Sequence, residues 1–155
     1  MAIDNDIEGK YLTFWTDKQI FGISCIDVVQ IIGIQEITEI PEFPIYVKGI
    51  ISLRGNIIPV VDIRLYLGKK EKFYDEHTCI IVIKIDDHLS GMIVDSINEV
   101  TDIPDEDILQ PPQVSHDLDS VYLTGITKHD NKVILLLNTQ KILSIDQLEA
   151  IAQSI

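Results

Sequence analysis

Basic residues are scarce. Twelve lysines and arginines stand against 25 aspartates and glutamates in a chain of 155 residues, a formal charge of -13. That balance argues against general attraction to nucleic acid or to an anionic lipid surface, both of which recruit cations, so neither is expected as a partner. Cysteine is nearly missing too. Cys25 and Cys79 lie in GISCIDVV and HTCIIVI, apolar settings that suit buried free thiols in a reducing compartment better than a disulfide scaffold. No apolar run approaches the ~20 residues of a membrane helix, and no signal-peptide pattern opens the chain. The expectation is a cytoplasmic protein without direct membrane insertion.

The marks of catalysis are absent as well. An enzyme needs a nucleophile with its base, a carboxylate pair across a substrate, or metal ligands at workable spacing. His77 and Cys79 are two residues apart at a strand start, yet no second ligand pair accompanies them. His88 and His129 fall in expected hairpin turns and His116 in a polar loop, where imidazoles are usually solvated bystanders. GKKEK (68–72) lacks the second glycine and the Ser or Thr of a phosphate-binding loop and reads as a charged linker. Neither a catalytic residue, a metal nor a cofactor is expected.

What is present is β-structure. Isoleucine and other β-branched residues dominate short apolar runs cut by Gly, Pro, Asp and Asn. In CIIVIKI, Cys79, Ile81, Ile83 and Ile85 share one face, and Ile80, Val82 and Lys84 the other. The polar DDH (86–88) then leads into a returning strand, SGMIVDSI. YLTFW, TDKQ and FGISCI repeat that plan earlier in the chain.

The chain is also written twice. IQEITEIP (34–41) returns as INEVTDIP (97–104), YVKGI (46–50) as YLTGI (122–126), and NIIPVVD (56–62) as KVILLLN (132–138). Arg54, Gly55 and Asn56 then fall where the second copy has Asp130, Asn131 and Lys132, both hairpin turns. With the octapeptides aligned, the first copy carries six extra residues between Gly22 and Ile34, and the second thirteen between Pro104 and Tyr122. The expected fold is all-β: two small barrels, over about 11–70 and 76–143, packed to bury outer strands that neither covers alone. Ser144 as N-cap, Gln147 and the apolar Leu148, Ile151 and Ala152 point to a short C-terminal helix over 144–155.

The informative stretch is SLRGN (52–56), a cationic turn on an acidic protein. Arginine's planar fork of donors suits a partner's carboxylate or amide groups, whereas an internal ion pair with a nearby Asp or Glu is the competing reading.

YVKGIISLRGNIIPVVDIRLYLG resembles the signature of the CheW family, with FGISCIDVVQIIG before it and GMIVDSINEV and YLTGI after it, from about Tyr11 to Leu143. The resemblance implies two SH3-like five-stranded barrels with exchanged strands and a non-enzymatic adaptor. It also implies binding to the regulatory domain of the histidine kinase CheA and to the cytoplasmic tips of chemoreceptors, with recruitment to receptor arrays. Val28, Gly49, Arg54 and Gly55 match positions the family uses for receptor contact, as does Gln30, where many members have Glu. Gly125 matches a position on the kinase side. Ser52 stands where most members have Asn. A CheV-type protein would append a receiver domain and CheA an ATP-binding domain, so the length suits a stand-alone adaptor. The competing reading, a ligand-binding or enzymatic β-barrel protein with a pocket between the barrels, requires convergent polar side chains in that pocket.

Overall fold

The computed structural model describes residues 7–111 and 122–143, so the helix expected over 144–155 lies outside the described residues. The described strands are β1 (Lys10–Thr16), β2 (Gln19–Ser24), β3 (Val28–Gly33), β4 (Val47–Leu53), β5 (Asn56–Asp62), β6 (Cys79–Ile85), β7 (His88–Val94), β8 (Ser96–Asp102), β9 (Leu123–His129) and β10 (Lys132–Leu137). Three hairpins turn through two residues that both have positive φ: Asp17–Lys18 (50° and 65°), Arg54–Gly55 (51° and 83°) and Asp130–Asn131 (51° and 64°). That turn type matches the right-handed twist of the flanking strands, and Gly, Asn and Asp tolerate it best.

The strands form two five-stranded sheets, ordered β8-β1-β2-β10-β9 and β3-β6-β7-β5-β4. Each sheet draws on both halves of the sequence. The ranges 11–70 and 76–143 therefore do not coincide with the sheets. β2 runs parallel to β10 and β5 parallel to β7, and these pairings tie each hairpin to the opposite half. The two halves of the sequence cannot separate without breaking both ladders. In each, the chain leaving an edge strand crosses to the far edge: Thr38 bridges Ile50 and Leu109 bridges Ile126. Each sheet thereby closes into a small barrel.

The strand register corrects the repeat alignment. Val28 pairs with Ile83, two residues before the end of β6, as Ile97 pairs with Phe14, two before the end of β1. Val28 thus corresponds to Ile97, and Gln30 to Glu99 in the same way. INEVTDIP supplies most of β8, whereas IQEITEIP follows β3 and joins a ladder only at Thr38. The two octapeptides are not structural counterparts. Consequently the six-residue insertion before Ile34 disappears, and the extra residues of the second half all lie between β8 and β9.

Strand alternation builds three cores. Ile58, Val60, Ile80, Val82 and Ile93 fill one barrel, with Ile51. Ile20, Ile103, Ile134 and Leu136 fill the other. The third and largest lies between the barrels, where Phe14, Ile23, Ile81, Ile83, Met92 and Ile142 are fully buried. On β6 the odd isoleucines face this junction and Ile80 and Val82 face the barrel interior, the division expected from CIIVIKI. Burial of so many branched side chains, each contributing roughly 1.5–3 kcal/mol, makes the junction the fold's main cohesive element.

The short helix Ile63–Tyr66 sits at this junction. Asp62 caps it, accepting from the backbone of Arg64 at 2.9 Å, and also accepts a 2.7 Å hydrogen bond from the Tyr74 hydroxyl. Burial and this contact push the Tyr74 phenol far above its ordinary value. Tyr66 packs edge-on against Tyr46 at 5.1 Å and Tyr122 at 6.0 Å, so the repeat partners Tyr46 and Tyr122 flank one ring.

Candidate interaction surfaces

Arg54 occupies the tip of the β4–β5 hairpin, exposed, and makes no hydrogen bond or ion pair with any described residue. The competing reading, an internal ion pair, fails among the described residues. Gly55 follows in the left-handed region with open space where a Cβ would stand. Beside this tip lies an open cleft of about 480 Å³ lined by Gly55, Asn56, Ile57, Ile58, Asp87, His88 and Leu89. Gln35 Nε2 donates to the Ser52 carbonyl at 3.0 Å and ties the crossing segment to the base of the hairpin.

Val28 and Gln30 are half-buried on β3, an edge strand of its sheet. The side chains that face water there are their neighbours Val29 (49% exposed) and Ile31 (42%), with Ile26 (59%) just before. Sequence reasoning missed these three because an aliphatic residue inside ISCIDVVQIIG reads as core. Burial nevertheless alternates regularly along β3, through the bulge between Val28 and Gln30.

The two glycines are placed differently. Gly49 is buried at φ 143°, and a Cβ would meet the Thr38 carbonyl oxygen at 2.0 Å. Gly125 is buried at the equivalent site, where a Cβ would meet Ile108 Cγ2 at 2.4 Å. Each permits the crossing segment to approach and close its barrel. Neither offers a surface to a partner.

A second cleft, about 390 Å³, lies at the barrel junction and is lined by Trp15, Asp17, Lys18, Arg64, Lys72, Asp75, His77, Asp95 and Ser96. It has the polar lining that a ligand-binding reading requires, but many of its charges are already paired. Arg64 Nη1 meets Asp95 Oδ2 at 2.7 Å, Arg64 Nη2 meets Asp17 Oδ1 at 3.4 Å, and Lys72 meets Asp75 at 3.7 Å. A hydrogen bond from Lys69 holds Asp17 below the ordinary carboxylate value, helped by the charges of Lys69 and Arg64. The space between the barrels is filled with aliphatic side chains rather than with catalytic groups. Burial raises the thiols of Cys25 and Cys79, which disfavours the nucleophilic thiolate.

Residues 10–147 match the CheW-like domain family. The chain belongs to the CheW family. Among its relatives, the chemotaxis protein CheW of Thermotoga maritima is 33% identical over 138 residues, 88% of each chain. CheW of Klebsiella aerogenes is 30% identical over 139 residues, 90% of this chain and 84% of its own. The crystal structure of the scaffolding protein CheW from Thermoanaerobacter tengcongensis superposes with a TM-score of 0.81 at 32% identity, covering 89% of this chain and 94% of that one. The protein is thus a chemotaxis scaffold of the CheW type, in a family without enzymatic activity. Its two barrels with exchanged strands accord with that membership. Among the described residues no helix is long and apolar enough to cross a membrane.

Proposed function

We propose that this CheW protein couples chemoreceptors to the histidine kinase CheA, with one barrel turned toward each partner. On this reading the β3–β7 barrel receives the receptor tip, a helical hairpin, through Arg54, Gly55 and the exposed Val29 and Ile31. Val28 and Gln30 support that edge from the half-buried face. Gly49 acts indirectly, by seating the crossing segment. The other barrel, closed at Gly125, serves the regulatory domain of the kinase.

The observation that carries the reading is Arg54, an exposed guanidinium without a described partner on a protein of charge -13. Such a group costs nothing to present and can form a bidentate bond to a carboxylate, while the partly exposed Ile57 and Leu89 in the cleft beside it can meet the hydrophobic face of a helix.

The test begins with titration calorimetry against the isolated regulatory domain of the host's CheA-type kinase. One-to-one binding supports the scaffold contact. Arg54→Glu is then expected to retain the fold and kinase binding while receptor control of kinase activity falls at least tenfold. Unchanged receptor control in a folded Arg54→Glu protein removes Arg54 from the receptor site.

A further inference from the structure

The corrected register makes Glu99 the counterpart of Gln30, as the hairpin alignment makes Asp130 that of Arg54. Where one barrel presents a cation, the other gathers three potential ligands. His129 Nε2 lies 3.9 Å from Glu99 Oε1 and 3.6 Å from Asp130 Oδ2, and one ligand atom from each residue falls within 4.8 Å of the others. We propose that Glu99, His129 and Asp130 bind a divalent transition-metal ion, with Zn²⁺ the representative case.

The geometry is close to what such an ion needs. Zn²⁺ holds imidazole nitrogen and carboxylate oxygen at about 2.0–2.2 Å, so two ligands at the tetrahedral angle lie roughly 3.4 Å apart. The two separations from His129 exceed that by a few tenths of an ångström, the two carboxylates lie within 4.8 Å of each other, and Glu99 and Asp130 are exposed side chains that can close the gap by rotation. The ligand set, one imidazole and two carboxylates, suits borderline ions better than Ca²⁺ or Mg²⁺, which prefer oxygen alone. Water would complete the coordination.

The surroundings favour a cation at this point. Nε2 also lies 3.1 Å from Thr101 Oγ1. Two carboxylates and a hydroxyl thus lie within 3.9 Å of Nε2, and an ion placed among them would engage these acceptors together. The location gives the ion a mechanical role. Glu99 belongs to β8 and His129 to β9, the two edges of one sheet; the segment after β8 reaches β9 through the Leu109–Ile126 bridge, and Thr101 of β8 meets His129 at 3.1 Å. A bound ion would reinforce this closure of the barrel. The other barrel has Gln30, Leu53 and Arg54 at the corresponding places and cannot do so, and among the described residues one such ion is therefore expected.

Zn²⁺ titration into the full chain, followed by calorimetry and thermal melting, tests the site. One saturable equivalent is expected, with a rise in Tm at saturation. His129→Ala should weaken that binding at least tenfold and abolish the Tm rise. Asp130→Asn, which keeps a residue suited to φ 51°, should weaken it several-fold, and His88→Ala should leave it unchanged. Circular dichroism of each variant without metal establishes folding. No saturable uptake overturns the proposal. Uptake that persists unchanged in both His129→Ala and Asp130→Asn does so equally, by placing the ion elsewhere.

Discussion

The Arg64 guanidinium reaches from the helix after β5 to Asp95 at 2.7 Å, and its other nitrogen faces Asp17 in the β1–β2 turn at 3.4 Å. One side chain thus links elements of both barrels. Its Nε also donates to the Lys70 carbonyl at 3.0 Å, so the fork is held in place on three sides. The side chains of Arg64 and Asp95 are only 12% and 16% exposed, and removing the cation strands the carboxylate where water reaches it poorly. Arg64→Ala is expected to cost about 2–4 kcal/mol in urea unfolding. Coupling between Arg64→Ala and Asp95→Asn below about 0.5 kcal/mol in a double-mutant cycle would show that the pair is incidental.

Asp17 gives this clamp a pH dependence. Its folded-state pKa is depressed by the Lys69 hydrogen bond and the neighbouring cations, below the ordinary 3.8. A depressed carboxylate contributes stability that is fully present above its unfolded pKa and is lost as pH falls through the folded one. The difference in Tm between the protein and Asp17→Asn should therefore be constant from pH 5 to 7 and shrink below pH 4. A difference that persists unchanged to pH 2 would exclude the charge as its cause.

Much of the architecture was legible in the sequence, for reasons that can be assigned to particular residues. The two faces of CIIVIKI are the two cores it serves, and the polar pairs Asp17–Lys18 and Asp130–Asn131 sit at left-handed positions that few other residues accept. The repeat was legible too, but its register was not. IQEITEIP and INEVTDIP are identical at five of eight positions, yet only hydrogen bonding to β6 and β1 reveals that VVQIIG is the counterpart of INEVTD. The parallel ladders β2–β10 and β5–β7 join residues too remote in sequence for local patterns to register. Of the residues linked to partners by resemblance, Arg54 proved to stand free, whereas Gly49 and Gly125 proved to be packing sites. Glu99, His129 and Asp130 come together only through the fold, although the hairpin alignment already set Asp130 opposite Arg54.

The glycines can be separated by one methyl group each. At Gly49 the added Cβ strikes a backbone carbonyl at a φ that disfavours any side chain, so Gly49→Ala should cost about 3 kcal/mol or more, or prevent barrel closure. At Gly125 the obstacle is the end of the Ile108 side chain, and a rotamer change can relieve part of the clash. Gly125→Ala should cost about 1–2 kcal/mol. Gly55→Ala meets only its φ of 83°, with a loss of about 1 kcal/mol. Chemical denaturation of the three variants checks the order, and a Gly49→Ala protein as stable as Gly55→Ala would refute the close approach.

The exposed aliphatics on β3 allow surface contact to be distinguished from damage to the fold. Val29 and Ile31 are 49% and 42% exposed on an edge strand, so lysine at either position reaches water without disturbing the cores. Val29→Lys and Ile31→Lys should each leave the Tm within a few degrees of the parent. If these side chains meet the receptor helix, each should weaken receptor binding about tenfold, equivalent to ~1.4 kcal/mol. Val100, the counterpart of Ile31 on β8, is 56% exposed and supplies the control. Val100→Lys should leave receptor binding intact, because it lies on the barrel assigned to the kinase. Equal losses from Ile31→Lys and Val100→Lys would mean that the charge change acts through general electrostatics, and the receptor surface would then have to be sought away from β3.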